Sequence, residues 1–471
     1  MKNMTLWNIA RACKGRLLIP SGSKGAERCP ARGMAVIRNA SAQQAEGIVL
    51  DSRKVEPGFV FVATVGERVD GHSFIESVFE KGAIGVVCEK APEVLPGPCI
   101  VVEDSFAALR QIAAFYRSQR EIPVVGITGS VGKTSTKEFV ASVLAQKYKT
   151  HKTMGNFNNE VGVPLTLFAM PEDAECAVVE MGINHFGEMH RLSEIARPDI
   201  CVMTNIGQCH LEYLGDRDGI LRAKSEIFDF MNPEGSVCVN GDDDKLASIG
   251  QVHGKVPVRF GLSENNDIYA TDIVSRGLLG SNARICIKNG ESFEVQIPLP
   301  GIHMVLNALA ATAVGLQLGL DTAQIAAGIA SVEAVKGRSR VIDAGKLVLI
   351  DDCYNANPVS MQAAIAMLQK ALGRKVAVLG DMFELGENEK QMHAQIGTYA
   401  AENGVDCLIC AGALSENMYE AAKAAGMTNV HHFADREELL QHLPTLLQEG
   451  DSVLIKASHG MGYDKIVEAL Q

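Results

Sequence analysis

Short apolar runs punctuate the chain at intervals that suit alternating strands and helices. Residues 59–63, 83–88 and 99–102 read as buried strands, and helical spacing fills residues 72–81 and 106–120. The rhythm returns with apolar runs at 122–127, 176–179 and 200–203, then at 347–350, 375–379, 406–411 and 452–455. Helical patterns at 219–230, 360–372 and 437–447 fall between them. Strand then helix, repeated, predicts βαβ units and mostly parallel sheets. The fold class expected is therefore α/β, in three domains over residues 1–118, 119–335 and 336–471.

Residues 295–320 contain no Asp, Glu, Lys or Arg, which suits a membrane span in length. Pro298, Pro300, Gly301, Asn307 and Gln317 interrupt it, and its helical part is rich in alanine, so a buried helix of a water-soluble domain is expected instead. The start, MKNMTLWNIARACKG, has no sustained apolar region, and a cytoplasmic location is expected.

Composition changes this picture little. Hydrophobic residues at 47% and charged residues at 21% describe ordinary globular protein. A net charge of −12 speaks against a non-specific nucleic-acid binder, so no nucleic-acid partner is expected. The 12 cysteines follow no repeating frame, which suits a reducing compartment. Cys407 and Cys410 have CxxC spacing but lie in the apolar run DCLICAG, where they read as small hydrophobes of a buried strand.

Candidate chemistry concentrates where apolar runs stop. The run ending at Ile127 leads into Thr128-Gly129-Ser130-Val131-Gly132-Lys133-Thr134-Ser135 and then a helical pattern. Strand, glycine-rich turn and helix start, in that order, make a phosphate cradle: backbone N–H groups point inward and the helix adds partial positive charge. Lys133 reaches terminal phosphates and the Thr134 hydroxyl can hold Mg²⁺. The glycines stand at 126, 129 and 132, with Ile127 where the strict Gly-x4-Gly-Lys-Thr spacing wants glycine.

Two further strands deliver Glu180 and, after Thr204-Asn205-Ile206-Gly207, His210, at the sheet edge where α/β proteins bind ligands. Both stand where a metal beside the phosphates needs ligands, although a single His among carboxylates also reads as structural. Lys224, on a helix, reads alone as a solvated charge. His303 and Asn307 share one helix face and either line a base or cap the helix. Asp51-Ser52-Arg53 is a surface loop or a diphosphate clasp, and Asn156, Asn158 and Asn159 a turn or a hydrogen-bonding loop. Arg338 is placed to reach phosphates if the last domain closes over them.

Taken in order, DSRKVEPGFVFVA, GITGSVGKTSTK, GNFNNEVGVP, VVEMGINHFGEM, TNIGQCHLE, AKSEIF, GIHMVLNALAA, KGRSR, DDCYNANP and GDMFELG resemble the Mur ligases, ATP-dependent amide-forming enzymes of bacterial cell-wall synthesis. The resemblance runs nearly end to end and includes the extra glycine spacing of the phosphate loop. YNANP and GDMFELG look most like the members that add D-alanyl-D-alanine to UDP-N-acetylmuramoyl-tripeptide, and the Asp-Asn-Pro-Arg motif of the members that add the third amino acid is missing.

That resemblance implies a UDP-substrate-binding first domain, a central ATP-binding P-loop domain and a Rossmann-like C-terminal domain for the incoming dipeptide. It implies ATP contacts at Gly129, Ser130, Val131, Gly132, Lys133, Thr134, Ser135, His303, Asn307, Arg338 and Asp352. Thr134 and Glu180 would hold one of two Mg²⁺ ions. Lys224, carbamylated by CO₂, would hold the second with His210, and Lys133, Glu180, His210 and Lys224 form the expected catalytic set. Ser52, Arg53, Asn156 and Asn159 would serve the UDP-linked acceptor, and Tyr354, Asn355 and Asn357 the dipeptide. Lys456-Ala457-Ser458-His459 resembles a Lys-Gly-Ser turn of related enzymes with alanine in glycine's place. A monomer without membrane insertion is expected. The rivals are a folylpolyglutamate-type ligase, a third-residue-adding ligase, or an ATP-binding regulatory protein without turnover.

Overall fold

The computed structural model describes residues 1–20, 26–28, 35–37, 42–288 and 290–471. Three sheets of five or more strands carry it, each flanked by helices. The first has strand order Arg16–Leu18, Cys99–Val101, Gly85–Cys88, Phe59–Val62 and Gly47–Val49, all parallel except its antiparallel first strand. The third runs Arg340–Asp343, Val348–Asp351, Ser452–Lys456, Lys375–Gly380, Cys407–Ala411 and Val430–Phe433, again parallel but for one edge. Cys407 and Cys410 are buried, unpaired residues of that sheet, as small hydrophobes in a strand should be.

The central sheet positions the chemistry. Its strand Val124–Thr128 is buried along its whole length and pairs in parallel with Cys176–Glu180 on one side and Ile200–Met203 on the other. A β-branched run hidden on both faces is what a parallel strand covered by helices requires. The chain leaves these neighbouring strands in opposite directions across the sheet, which opens a crevice at their carboxyl ends. Beyond Ile268–Ser275 the sheet turns antiparallel through Ser281–Ile287 and Ser292–Ile297. The charge-free stretch therefore divides: Ser292–Ile297 is an edge strand, and after the turn at 298–301 the helix Ile302–Gln317 buries most of its surface. Among the described residues no helix is long and apolar enough to cross a membrane.

Other boundaries differ from the sequence pattern, among them helix Pro358–Leu368, which starts before 360 and stops short of 372. Helix Arg217–Ser225 stops earlier than expected and tightens into a 3-10 turn, Glu226–Phe228. The segment expected as helix 72–81 opens as a 3-10 turn, Gly71–Phe74, capped by the Asp70 carboxylate, before Ile75–Glu80 continues it.

The apolar cores do not follow the sheets one to one. Met4, Ile9, Ile112 and Tyr116 of the first unit pack in the same cluster as Val163, Leu192, Ile220 and Leu246 of the central one. Helix Ser105–Arg117 makes the join, because the Arg117 side chain donates to the carbonyls of Ala196 and Arg197 at 2.9 and 3.1 Å and pairs with Asp199 at 3.1 Å. The last unit keeps its own two cores, with Leu211 and Leu278 of the central unit only leaning on one of them.

Candidate active site

At the end of Val124–Thr128 the chain turns through two glycines with positive φ, Gly129 at 149° and Gly132 at 81°, and starts helix Lys133–Leu144. A Cβ on Gly129 would lie 2.0 Å from Thr204 Oγ1, so only glycine lets the loop pass there. The segment after Ile200–Met203 ties this loop down. Ser130 N–H donates to Asn205 O at 3.0 Å, Val131 N–H to Asn205 Oδ1 at 3.0 Å, and Val131 O accepts from Thr204 Oγ1 at 2.6 Å and Asn205 Nδ2 at 3.1 Å. Lys133 Nζ folds back to donate to Gly129 O at 2.8 Å. Desolvation lowers its proton affinity, against the pull of Glu180. An ammonium held on loop carbonyls at the N-terminus of helix Lys133–Leu144 is placed for a polyphosphate.

Glu180 lies 1% exposed at its strand end. Its Oε1 accepts from Thr134 Oγ1 at 3.1 Å and Asn158 Nδ2 at 2.8 Å, while Oε2 has no hydrogen-bond partner. Lys137, itself buried, brings Nζ to 4.0 Å from that oxygen and to 3.0 Å from Glu138. Lys224 is fully buried, and its Nζ has no hydrogen-bond partner. Burial, with the charge of Lys133 adding to it, lowers its pKa to about 8. The His210 ring is mostly buried, and desolvation first, then Lys224 and Lys133, bring its pKa down to about 3. Lys133, His210 and Lys224 thus feel one another.

The opposite wall comes from the third unit. The Arg338 guanidinium lies 3.8 Å from the Tyr354 ring centre, and Tyr354 packs on His459. Lys456 Nζ, buried, donates to Asp352 Oδ2 at 2.6 Å and Asn355 O at 2.9 Å, while Ser339 N–H donates to Asp352 Oδ1 at 2.8 Å. Asn357 Oδ1 accepts from Ser360 N–H at 2.9 Å as the cap of helix Pro358–Leu368. His303 and Asn307 reach the cavity from the central unit. Asn307 Oδ1 accepts from Thr136 Oγ1 at 2.9 Å, and desolvation lowers the proton affinity of His303.

These walls enclose a cavity of about 930 Å³. It is lined by Ser130–Thr136, Asn159, Glu180, His210, His303, Asn307, Arg338, Asp352, Tyr354, Asn355 and Asn357. Gly129 and Lys224 stand behind that lining. Ser52, Arg53 and Asn156 lie away from it: Arg53 is exposed and holds Asp51 through two hydrogen bonds at 2.9 and 2.8 Å, and Asn156 is exposed. Sequence reasoning gave no role to Lys137, to Asn205 or to Glu384, whose Oε2 lies 2.6 Å from His210 Nδ1. The first looks like any helical lysine, and the others act through partners far along the chain.

Matches to known proteins follow this division of the chain. Residues 44–128 match the Mur ligase family catalytic domain, 127–315 the Mur ligase middle domain, and 337–459 the Mur ligase glutamate ligase domain. A relative from Bacillus subtilis named UDP-N-acetylmuramoyl-tripeptide--D-alanyl-D-alanine ligase is 38% identical over 90% of this chain and 93% of its own. The crystal structure of MurF from Acinetobacter baumannii superposes with a TM-score of 0.87 at 32% identity, covering 99% of this chain and 98% of that one. MurF from Thermotoga maritima in complex with ADP matches with a TM-score of 0.80 at 30% identity, over 90% and 96%. The chain belongs to the Mur ligase family.

Proposed function

We propose that this chain uses ATP to join D-alanyl-D-alanine to UDP-N-acetylmuramoyl-tripeptide in peptidoglycan precursor synthesis, with the residues above in the roles their places suggest. The observation that carries this reading is one cavity shared by a phosphate loop, a buried carboxylate and a polar loop from another domain. A carboxylate does not accept an amine while its leaving group is oxide. The acceptor's terminal carboxylate therefore attacks the γ-phosphorus, the bond to ADP breaks, and an acyl phosphate forms. The dipeptide amine adds to that carbonyl, loses its proton, and phosphate leaves with the C–O electron pair. Lys133 and the N–H groups at the start of its helix offset the anionic charge of both steps, and Arg338, over Tyr354, approaches it from the facing domain. Enclosure between two domains keeps water from the acyl phosphate. Arg53 and Ser52, away from the cavity, suit the uridine diphosphate end of a long acceptor, while Asn159 suits its peptide end. Tyr354 and Asn355 are offered to the dipeptide, with Asn357, whose oxygen already caps a helix, beside them.

The donors at the phosphate loop fit one divalent ion. Thr134 Oγ1 and Glu180 pair at the phosphate loop, and Glu180 Oε2 is a buried oxygen without a hydrogen bond. Among the described residues no three His, Cys, Asp or Glu side chains cluster, so a second position needs a further anion. Lys224 supplies one by adding CO₂ to its free amine, forming an N–C bond and releasing a proton; low proton affinity and the lack of a partner favour that reaction. His210 and the Lys224 carbamate would hold that ion, and Thr134 with Glu180 the other. Mg²⁺ bound there supplies charge neutralisation to the phosphoryl oxygens.

Phosphate release tests the reading. Turnover is expected only with ATP, the UDP-tripeptide and D-alanyl-D-alanine together, with the amide product seen by mass spectrometry. Equal phosphate release without the dipeptide, or with a different acid and amine pair, would refute it.

A further inference from the structure

One buried cation beside the phosphate loop serves no role assigned above. Lys137 stands four residues after Lys133 on helix Lys133–Leu144, so the two lysines share a face. Its side chain is buried, with Nζ 3.0 Å from Glu138 Oε1 and 4.0 Å from Glu180 Oε2. The other carboxylate oxygen of Glu138 is held by Lys152 Nζ. A row of alternating charge thus runs Glu180, Lys137, Glu138, Lys152, from the fully buried carboxylate at the cavity to a partly exposed lysine. Pairing of this kind is what lets charges stay ionised away from water.

The row treats the two oxygens of Glu180 differently. Oε1 is taken up by Thr134 and Asn158, whereas Oε2, which has no hydrogen bond, is the one that faces Lys137. An ammonium at 4.0 Å neutralises that oxygen without covering it. Lys133 pulls on the same carboxylate from the loop. Around Glu180 the ammonium groups of Lys133, Lys137 and Lys152 face only the carboxylates of Glu180 and Glu138, so these groups together carry no net negative charge. Affinity for a hard divalent cation rises with the negative charge its ligands bring. At this loop that charge has to arrive with the polyphosphate.

We propose that Lys137 is a positioning residue of the ligase: acting through Glu180, it withholds the phosphate-loop position from a free divalent cation, so that the ion enters only with the negative charge of the nucleotide. This rests on the reading of Glu180 as an ion ligand. Nucleotide and ion then bind cooperatively, each raising the affinity of the other by the same factor. The oxygen that Lys137 neutralises but leaves uncovered is the one free to meet the incoming ion.

Mn²⁺ binding, followed by electron paramagnetic resonance with and without a non-hydrolysable ATP analogue, tests this without turnover. The wild type is expected to bind Mn²⁺ weakly alone and far more tightly with the analogue. Lys137→Met, which keeps most of the side-chain length and loses the charge, should bind Mn²⁺ alone about 10- to 100-fold more tightly than the wild type. The gain on adding the analogue should shrink in that variant. Lys137→Arg, which keeps a cation, should stay close to the wild type. Unchanged binding of free Mn²⁺ by Lys137→Met would overturn the proposal, as would a Lys137→Arg variant that binds free Mn²⁺ as tightly as Lys137→Met. The double variant Lys137→Met with Glu180→Gln separates the two layers: it should lose the extra affinity, and if it keeps it, the ligand role of Glu180 fails first. Thermal melting of each variant guards against loss of fold, and Lys137→Gln repeats the comparison should Lys137→Met not fold.

Discussion

Lys224 hides an ammonium group from water with no partner to compensate it, and its proton leaves at about pH 8 instead of near 10.5. In the unfolded chain the same amine keeps its proton until about 10.5. Between those values the unfolded state binds more protons, so this group's contribution to stability rises with pH across that window, and below pH 8 the burial cost is present in full. The cost is on the order of 3 kcal/mol at neutral pH. Lys224→Met should therefore lose activity yet unfold at higher urea than the wild type at pH 7 in CO₂-free buffer, by roughly 1–3 kcal/mol. That advantage should shrink as the pH approaches 10.5. Equal midpoints across the range would show that the buried amine is already compensated.

At the scale of elements, the phosphate loop depends on the strand beside it. Asn205 satisfies the Val131 N–H and shares the Val131 carbonyl with Thr204. Asn205→Ala should cost about 1–3 kcal/mol by leaving a loop donor unpaired. It should also weaken ATP binding about tenfold by calorimetry while acceptor binding stays unchanged. Much of this level was legible in the chain itself. The apolar runs at 122–127, 176–179 and 200–203 do end at the phosphate loop, Glu180 and the His210 segment, because fully buried parallel strands leave a continuous apolar mark. The antiparallel strands from Ile268 to Ile297 left no such mark, since Thr271, Asp272, Arg284 and Glu294 interleave their apolar positions and one face meets solvent. The site was less legible. Lys137 and Lys224 look like ordinary helical lysines until tertiary packing buries them, and His210 and Glu384 are 174 positions apart. Lys456 meets Asp352 across two neighbouring strands, whatever stands at position 457.

Across the whole molecule, the first two units share one apolar core while the third stands on its own. In the proposed reaction the acceptor-side and nucleotide-side residues would thus be held in register, and closure would fall to the unit bearing Arg338 and Tyr354. The join rests on Arg117, whose guanidinium is held by carbonyls and Asp199 in a buried pocket. Arg117→Met should destabilise by about 3–5 kcal/mol, the range for breaking a buried ion pair. Its kinetic mark should be a raised KM for the UDP-tripeptide with that for ATP little changed. An equal rise in both would mean that the shared core does not set the register.

If the solitary amine beneath the cavity takes up CO₂ as proposed, the enzyme would also be answerable to the gas dissolved around it. A preparation degassed and held under argon should begin with a lag, reach full speed minutes after bicarbonate is added, and carry an extra 44 Da on Lys224 only in the second state, the mass of one CO₂. Carbon supply would then set the fraction of molecules able to begin, before any substrate is bound.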